Sequence, residues 1–340
     1  MIECPLIKTP IPAEFKVELE RLGRLFGVYA LTSPSPLPAS NLRITTEIRL
    51  QSEFYLPVSQ VRKTAYRIYR AALSTEPVFN STPFHSCPSW ADCFSSLPGW
   101  LQFSSNPSRL FSNLLSDREL FHKFIFHSFI PSRFNGQGAG RYPEQQFIIK
   151  EHLSRLKSAG KNVIRVLDAA CGTGEGTWEL ALLLSEAGFD RGSAELHGWT
   201  VDPLEVWAAE NTTLPHDYER TVRYKKSVEK LSRFPEATVP IFTAINLLNY
   251  KASPEPFDLI VCNGLIGGPI IGTINETKII LQNFQRISKP ASTILIADSF
   301  HEGWKKKLPA MIIRALLHEA GFNCGEDQER TITGTRRVLV

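Results

Sequence analysis

Residues 163–180 read VIRVLDAACGTGEGTWEL. The stretch opens as a short apolar run with β-branched side chains, the pattern of a strand buried on both faces in a parallel sheet. Glycines follow at alternate positions, Gly172, Gly174 and Gly176, and residues 178–185 are good helix formers. A strand running into a glycine turn and then a helix commits the surrounding chain to an α/β sheet. It also aims backbone N–H groups and a helix N-terminus at a ligand. A glycine turn alone does not say which ligand. Two features narrow the choice. Asp168 closes the strand, and a carboxylate there repels a pyrophosphate on the helix N-terminus but suits a ligand with an ammonium group. The spacing is Gly-x-Gly-x-Gly, not the Gly-x-Gly-x-x-Gly of the dinucleotide fingerprint.

From residue 162 onward strand and helix patterns alternate, as in a parallel sheet with helices on both faces. Strands are expected over 163–167, 196–201, 239–245, 257–262 and 293–298. Helices are expected over 175–188, 203–211, 225–234, 275–288 and 303–320. A closing antiparallel pair is expected at 322–324 and 336–340. Ligands of such sheets bind outside the carboxyl ends of the strands, so the residues following each strand are the candidates. Strand one is followed by Asp168 and the turn Cys171, Gly172 and Gly174. Strand two is followed by Asp202, whose carboxylate can accept both hydroxyl hydrogens of a ribose; it is equally a helix cap ahead of Pro203. Leu204 is placed to lie against an adenine. Strand three is followed by Asn246 and Leu247, for the edge and face of that ring, with a turn asparagine as the plain alternative. Strand four is followed by Asn263, near the reacting group, and then by a glycine-rich segment with no polar side chain. His301, past strand five, is the one histidine at the correct sheet edge to act as a base or substrate contact.

The first 140 residues read differently. Helical patterns are expected over 12–30, 58–73 and 117–130, and 43–50 reads as a strand or a loop. Residues 76–116 are rich in Ser, Pro and aromatic residues, too apolar for a disordered linker, so a packed cap of short helices is expected. Residues 131–142 carry Gly136, Gly138 and Gly140 as a loop, and a helix follows over 143–158. The helix at 58–73 carries Arg62, Lys63, Arg67 and Arg70 with no acid, either a solvated face or a docking surface for an acidic protein segment or RNA. Residues 1–150 hold 16 Lys/Arg against 11 Asp/Glu, whereas 151–340 hold 22 against 23, so recognition of an acidic partner is expected from the first half. The net charge of +4 does not demand a nucleic-acid partner. The 6 cysteines form no Cys-x-x-Cys pair and read as free thiols of a reducing cytoplasm, with no metal site expected. No membrane span or signal peptide is expected, and the expected location is cytoplasmic.

Asp168 followed by Gly172 and Gly174 gives acid-x-x-x-Gly-x-Gly, which resembles the first motif of the class I S-adenosylmethionine (SAM)-dependent methyltransferases. The resemblance implies a seven-stranded, mostly parallel Rossmann-like sheet over 141–340, preceded by a mainly helical domain over 1–140, with SAM as cofactor. The order Gly172-Thr-Gly-Glu175, Asp202, Asn246-Leu-Leu248 and Phe257 to Asn263 is most similar to the chemotaxis-receptor glutamate methyltransferases. By that resemblance Glu175 contacts the SAM amino group, Asp202 the ribose, and Asn246 with Leu247 the adenine, while Arg141 pairs with the SAM carboxylate. The chain departs from that branch where Gly176-Thr-Trp178 replaces Glu-Pro-Tyr and where 264–268 offers no tyrosine. The expected activity is methyl transfer to a protein side chain or a small molecule. The alternative is a SAM-binding sensor or assembly subunit without turnover, and RNA methylation is a weaker third.

Overall fold

The computed structural model describes residues 3–78, 82–130, 140–251, 255–268, 270–297, 308–325 and 331–338. It divides into two compact units, Met1–Phe134 and Asn135–Val340.

The described part of the first unit is helical: α1 (Lys16–Thr32), α2 (Thr46–Tyr55), α3 (Val58–Ala72), α4 (Pro83–Ser86), α5 (Trp90–Ser96), α6 (Pro107–Ser116) and α7 (Arg118–Phe129). The segment expected as strand or loop is instead the start of α2. Thr45 caps it by accepting the Ile48 N–H, and Ile48 and Ser52, one helical turn apart, are its buried residues. Weak alternation over so few residues was outweighed by a good cap. The aromatic-rich stretch packs as a core rather than a linker. Phe84 meets Trp90, Phe111 and Phe124, and Tyr69 stacks on Phe124 at 5.5 Å. The basic helix α3 spends two cations on its own chain. Arg62 donates to the carbonyls of Phe84 (2.8 Å) and Cys87 (3.2 Å), and Arg67 pairs with Glu18 and lies over the Phe15 ring.

The second unit carries a seven-stranded sheet in the order β3-β2-β1-β4-β5-β7-β6. Its strands are β1 (Ile164–Asp168), β2 (Ala194–Thr200), β3 (Ile241–Ala244), β4 (Phe257–Asn263), β5 (Ser288–Ala297), β6 (Phe322–Cys324) and β7 (Thr331–Arg336). The first five are parallel; β7 runs antiparallel to β5 and β6. Its helices are α8 (Pro143–Ser158), α9 (Glu175–Glu186), α10 (Pro203–Glu210), α11 (Tyr218–Val228), α12 (Ile274–Ile287) and α13 (Ala310–Glu319). Alternate residues of one strand serve opposite faces. Leu167, Ile260, Cys262, Ile294 and Ile296 pack with α12 and α13. Val166, Leu259, Val261 and Leu295 pack with α8 and α9.

Several boundaries differ from expectation: β5 begins at Ser288 rather than 293, and two others have a visible cause. The closing strand is Thr331–Arg336, not 336–340; it alternates small and β-branched residues against β5. The helix expected over 225–234 begins earlier, at Tyr218, because Asp217 caps it by accepting the Arg220 N–H, and it passes into a 3-10 turn at Glu229–Arg233. Most of the 131–142 loop and the start of the 303–320 helix lie outside the described residues. No helix among the described residues is long and apolar enough to cross a membrane.

At the amino end of the sheet, away from the turn, Asp258 is a charge hub. It accepts the Arg165 backbone N–H at 2.8 Å and pairs with Lys161 at 2.7 Å and Lys289 at 2.8 Å. Although burial alone would raise its pKa, the two lysines and the N–H hold it below the usual aspartate range.

Candidate functional site

β1 sits at the centre of the sheet, and the chain leaves it towards β2 on one side and reaches β4 on the other. That reversal opens a crevice at the carboxyl ends of β1 and β4, the usual ligand position in an open α/β sheet. The glycine turn leaves β1 there. The Ala169 N–H bonds to Val261 of β4 and the Cys171 N–H to Trp199 of β2, so both neighbouring strands fix the turn. Gly174 has φ +85° and caps α9, where an L side chain is strained. A Cβ there would stand 2.5 Å from Ala209 Cβ and 2.9 Å from the Tyr224 hydroxyl oxygen. Gly176 has no such constraint, since its nearest neighbour would be Asp168 Oδ2 at 3.8 Å.

Four buried carboxylates stand at this edge, Asp168, Glu175, Asp202 and Glu205, and three of them have no arginine forked on them among the described residues. Asp168 Oδ2 accepts the Thr177 hydroxyl at 2.7 Å. Burial pushes its pKa up to about 6, against the pull of Thr177 and the Ala170 N–H. Asp202 Oδ1 accepts the Leu204 N–H at 2.9 Å, so the expected cap of α10 is present while Oδ2 is not used by it. Burial raises Asp202 as well, and raises Glu205 further because Asp202 lies beside it. Glu205 accepts the Thr200 hydroxyl. Carboxylates held in a desolvated place without a full complement of cations favour a ligand that brings positive charge or hydroxyl donors.

Glu175 has a different surrounding from the one expected of it. Its carboxylate receives Arg220 Nε at 2.8 Å and Nη2 at 2.5 Å, a two-pronged ion pair, and the Thr173 hydroxyl at 2.9 Å. The side chains of Arg220 and Glu175 are only 5% and 7% exposed. Tyr224, one turn on from Arg220, donates to the Thr173 carbonyl at 2.8 Å.

At the end of β4, Asn263 exchanges both amide hydrogen bonds with buried Gln145 of α8, at 2.9 and 2.7 Å. Arg141 and Tyr142 lie over the following glycine; a Cβ on Gly264 would meet them at 3.9 and 3.8 Å. Their segment is tied to α9 by Glu179, which accepts the Gly140 N–H and the Gln146 amide. After β3, exposed Asn246 closes a turn by accepting the Leu248 N–H at 2.9 Å. Leu247 is buried in the core with Trp199, and Leu204 is buried as well. His301 lies outside the described residues. Among the described residues no group of three His, Cys, Asp or Glu side chains is placed to hold a metal ion.

Sequence reasoning thus reached Asp168, Cys171, Gly172, Gly174, Asp202, Asn263 and Arg141 at this edge, and missed Glu205, Arg220, Tyr224, Thr177 and Gln145. Glu205 carried a signal: it stands three residues after a capping aspartate, where glutamate normally reaches back to the cap N–H. Here it turns to Thr200 instead.

No protein-family model matches the chain, and no curated protein matches it. Among solved structures it is similar to the N-methyltransferase NodS from Bradyrhizobium japonicum WM9 in complex with S-adenosyl-l-homocysteine (SAH). Identity is 16%, covering 62% of this chain and 98% of that one, with a TM-score of 0.38. A TehB-like SAM-dependent methyltransferase from Corynebacterium glutamicum is similar at 16% identity, covering 58% and 96%, with a TM-score of 0.34. TrmN from Thermus thermophilus is similar at 16% identity, covering 58% and 52%, with a TM-score of 0.34. At such identities and scores the likeness assigns no chemistry to this chain.

Proposed function

We propose that the second unit binds SAM at the carboxyl ends of β1, β2 and β4 and transfers its methyl group to an acceptor. The observation that carries this reading is the pair of buried carboxylates at the ends of two adjacent strands, Asp168 closing β1 ahead of the glycine turn and Asp202 capping α10 two residues after β2. The ligand must present hydroxyl donors to one and positive charge to the other, and a sulfonium nucleoside with an amino-acid end does both. A dinucleotide would set its pyrophosphate against Asp168, which Coulomb repulsion in a buried place opposes. In this reading Asp202 Oδ2 receives the ribose, the Cys171–Gly174 backbone cradles the amino-acid end, and Arg141 receives its carboxylate. Leu204 lies against the adenine. Asn246 spends Oδ1 on its own turn, and its NH2 is the group offered to the adenine edge. Methyl transfer is an in-line displacement at sulfur, driven by positioning and desolvation. A carboxylate acceptor needs no base; a hydroxyl or amine needs one within hydrogen-bond reach.

The finer resemblance to receptor glutamate methyltransferases rests on sequence order. The cations of α3 lend it less support than expected, since Arg62 and Arg67 are engaged within the first unit. The test is calorimetric titration with SAH. Asp202→Asn keeps the helix cap, because asparagine caps as well as aspartate, and removes the charge. Affinity is expected to fall by about tenfold or more, the scale of a charge-assisted hydrogen bond. Unchanged affinity rejects the assignment.

One observation favours a second reading, a SAM-binding protein without turnover. Asn263 spends its amide on Gln145, and 264–268 adds no polar side chain beside it. Incubation with labelled SAM and cell lysate separates the two: labelled product in any fraction excludes the second.

A further inference from the structure

The connection between α10 and β3 holds α11, whose inner face is Arg220 and Tyr224, both buried. Each reaches the glycine turn. Arg220 forks onto Glu175 and donates through Nη2 to the Thr173 hydroxyl at 3.1 Å, while Tyr224 donates to the Thr173 carbonyl. The same hydroxyl oxygen of Tyr224 walls the space beside Gly174. A buried guanidinium forked on a buried carboxylate is a rigid strut, because five donors in a plane fit one geometry. It also cancels the charge of Glu175 at the very helix end where an anion is otherwise favourable.

We propose that Arg220 is a positioning residue for the ligand: through Glu175 and Thr173 it fixes the glycine turn and occupies the Glu175 carboxylate, leaving the ligand's ammonium end to Asp168. The inference rests on the SAM reading above. It parts from the role that sequence resemblance gives Glu175, because Arg220 neutralises that carboxylate and takes a site on each oxygen, with Thr173 on a second site of Oε2.

The experiment is SAH and adenosine titration, well below each variant's Tm, of wild type, Arg220→Met, Glu175→Gln and the double variant. Adenosine lacks the amino-acid end that the turn cradles. Arg220→Met is expected to weaken SAH by about tenfold or more while leaving adenosine within about twofold. Arg220 and Glu175 act as one strut, so Glu175→Gln and the double variant are each expected to lose SAH by about the same factor as Arg220→Met, within about threefold, rather than additively. Should Arg220→Met not fold, Arg220→Lys keeps the charge but not the fork, and the same selective loss of SAH is expected. Equal loss of SAH and adenosine, or no loss of either, overturns the proposal. So does Glu175→Gln losing SAH by about tenfold or more beyond Arg220→Met, which would mean Glu175 touches the ligand. A wild-type protein that binds neither compound overturns the SAM reading itself, an outcome distinct from the other three.

Discussion

Asp168→Asn should make the empty protein more stable and the ligand weaker. The carboxyl is buried and its pKa stands at about 6 against an ordinary 3.8. At pH 7.5 the group is ionised in both folded and unfolded chains, and the gap of roughly two units corresponds to about 3 kcal/mol of folding free energy. The sign follows from proton count. Between the two pKa values the folded chain holds more protons, so stability is greatest below the unfolded pKa and is lost as pH rises through the folded one. Asparagine removes the ionisation. Its oxygen can still accept the Thr177 hydroxyl, but its NH2 needs an acceptor where a lone pair stood, which returns about 1 kcal/mol or more. A net gain of about 1–2 kcal/mol raises Tm by roughly 1–3 °C for a chain of this size. Differential scanning calorimetry at pH 7.5 and pH 5 reads it. The variant's advantage should be clear at pH 7.5 and shrink at pH 5, where the wild-type group is largely protonated. SAH affinity should fall by about tenfold or more. A variant less stable than wild type at pH 7.5, or an advantage that grows on acidification, would refute the reasoning.

Gly174→Ala places a Cβ 2.5 Å from Ala209 at φ +85°, so a loss of about 3 kcal/mol or more is expected in denaturant unfolding; Gly176→Ala, whose Cβ makes only an ordinary contact with Asp168 Oδ2 at 3.8 Å within α9, should be neutral or gain up to about 1 kcal/mol. Asp258 has the opposite sign from Asp168: its pKa is lowered, so its stabilisation is present above the ordinary aspartate pKa and is lost as pH falls through its own. Asp258→Asn should therefore cost about 1–3 kcal/mol near pH 7, with the difference from wild type closing below about pH 4 in acid-unfolding curves. Gln145→Leu removes both partners of the Asn263 amide; under the methyltransferase reading methylation rate is expected to fall by several-fold with SAH affinity little changed, as measured by single-turnover assay and calorimetry.

The parallel sheet was legible because buried strands such as residues 163–167 and 257–262 are short apolar runs bounded by turn chemistry. The strand-end acids followed directly from that reading. What stayed hidden depends on contacts between distant segments. Arg220 lies in a stretch whose propensity suggested a helix starting only at residue 225, and nothing local reveals that a basic residue points inward to a carboxylate 45 positions earlier. Gln145 and Asn263 are 118 residues apart, and each alone reads as an ordinary polar residue. The helix pattern already began α9 at Glu175, but nothing in it reveals the arginine of a separate helix closing over that residue. In the first unit, Thr45 was the missed cue, since a single cap outweighed a weak period-two pattern.

The central claim, a site for a cationic or neutral nucleoside bounded by Asp168 and Asp202, is tested most directly by one calorimetric comparison of SAH with NAD on the wild-type protein. The account predicts saturable one-to-one binding of SAH and no measurable heat from NAD at the same concentrations. Binding of NAD in preference to SAH would contradict it, because a pyrophosphate would then be seated against the carboxylate that should repel it.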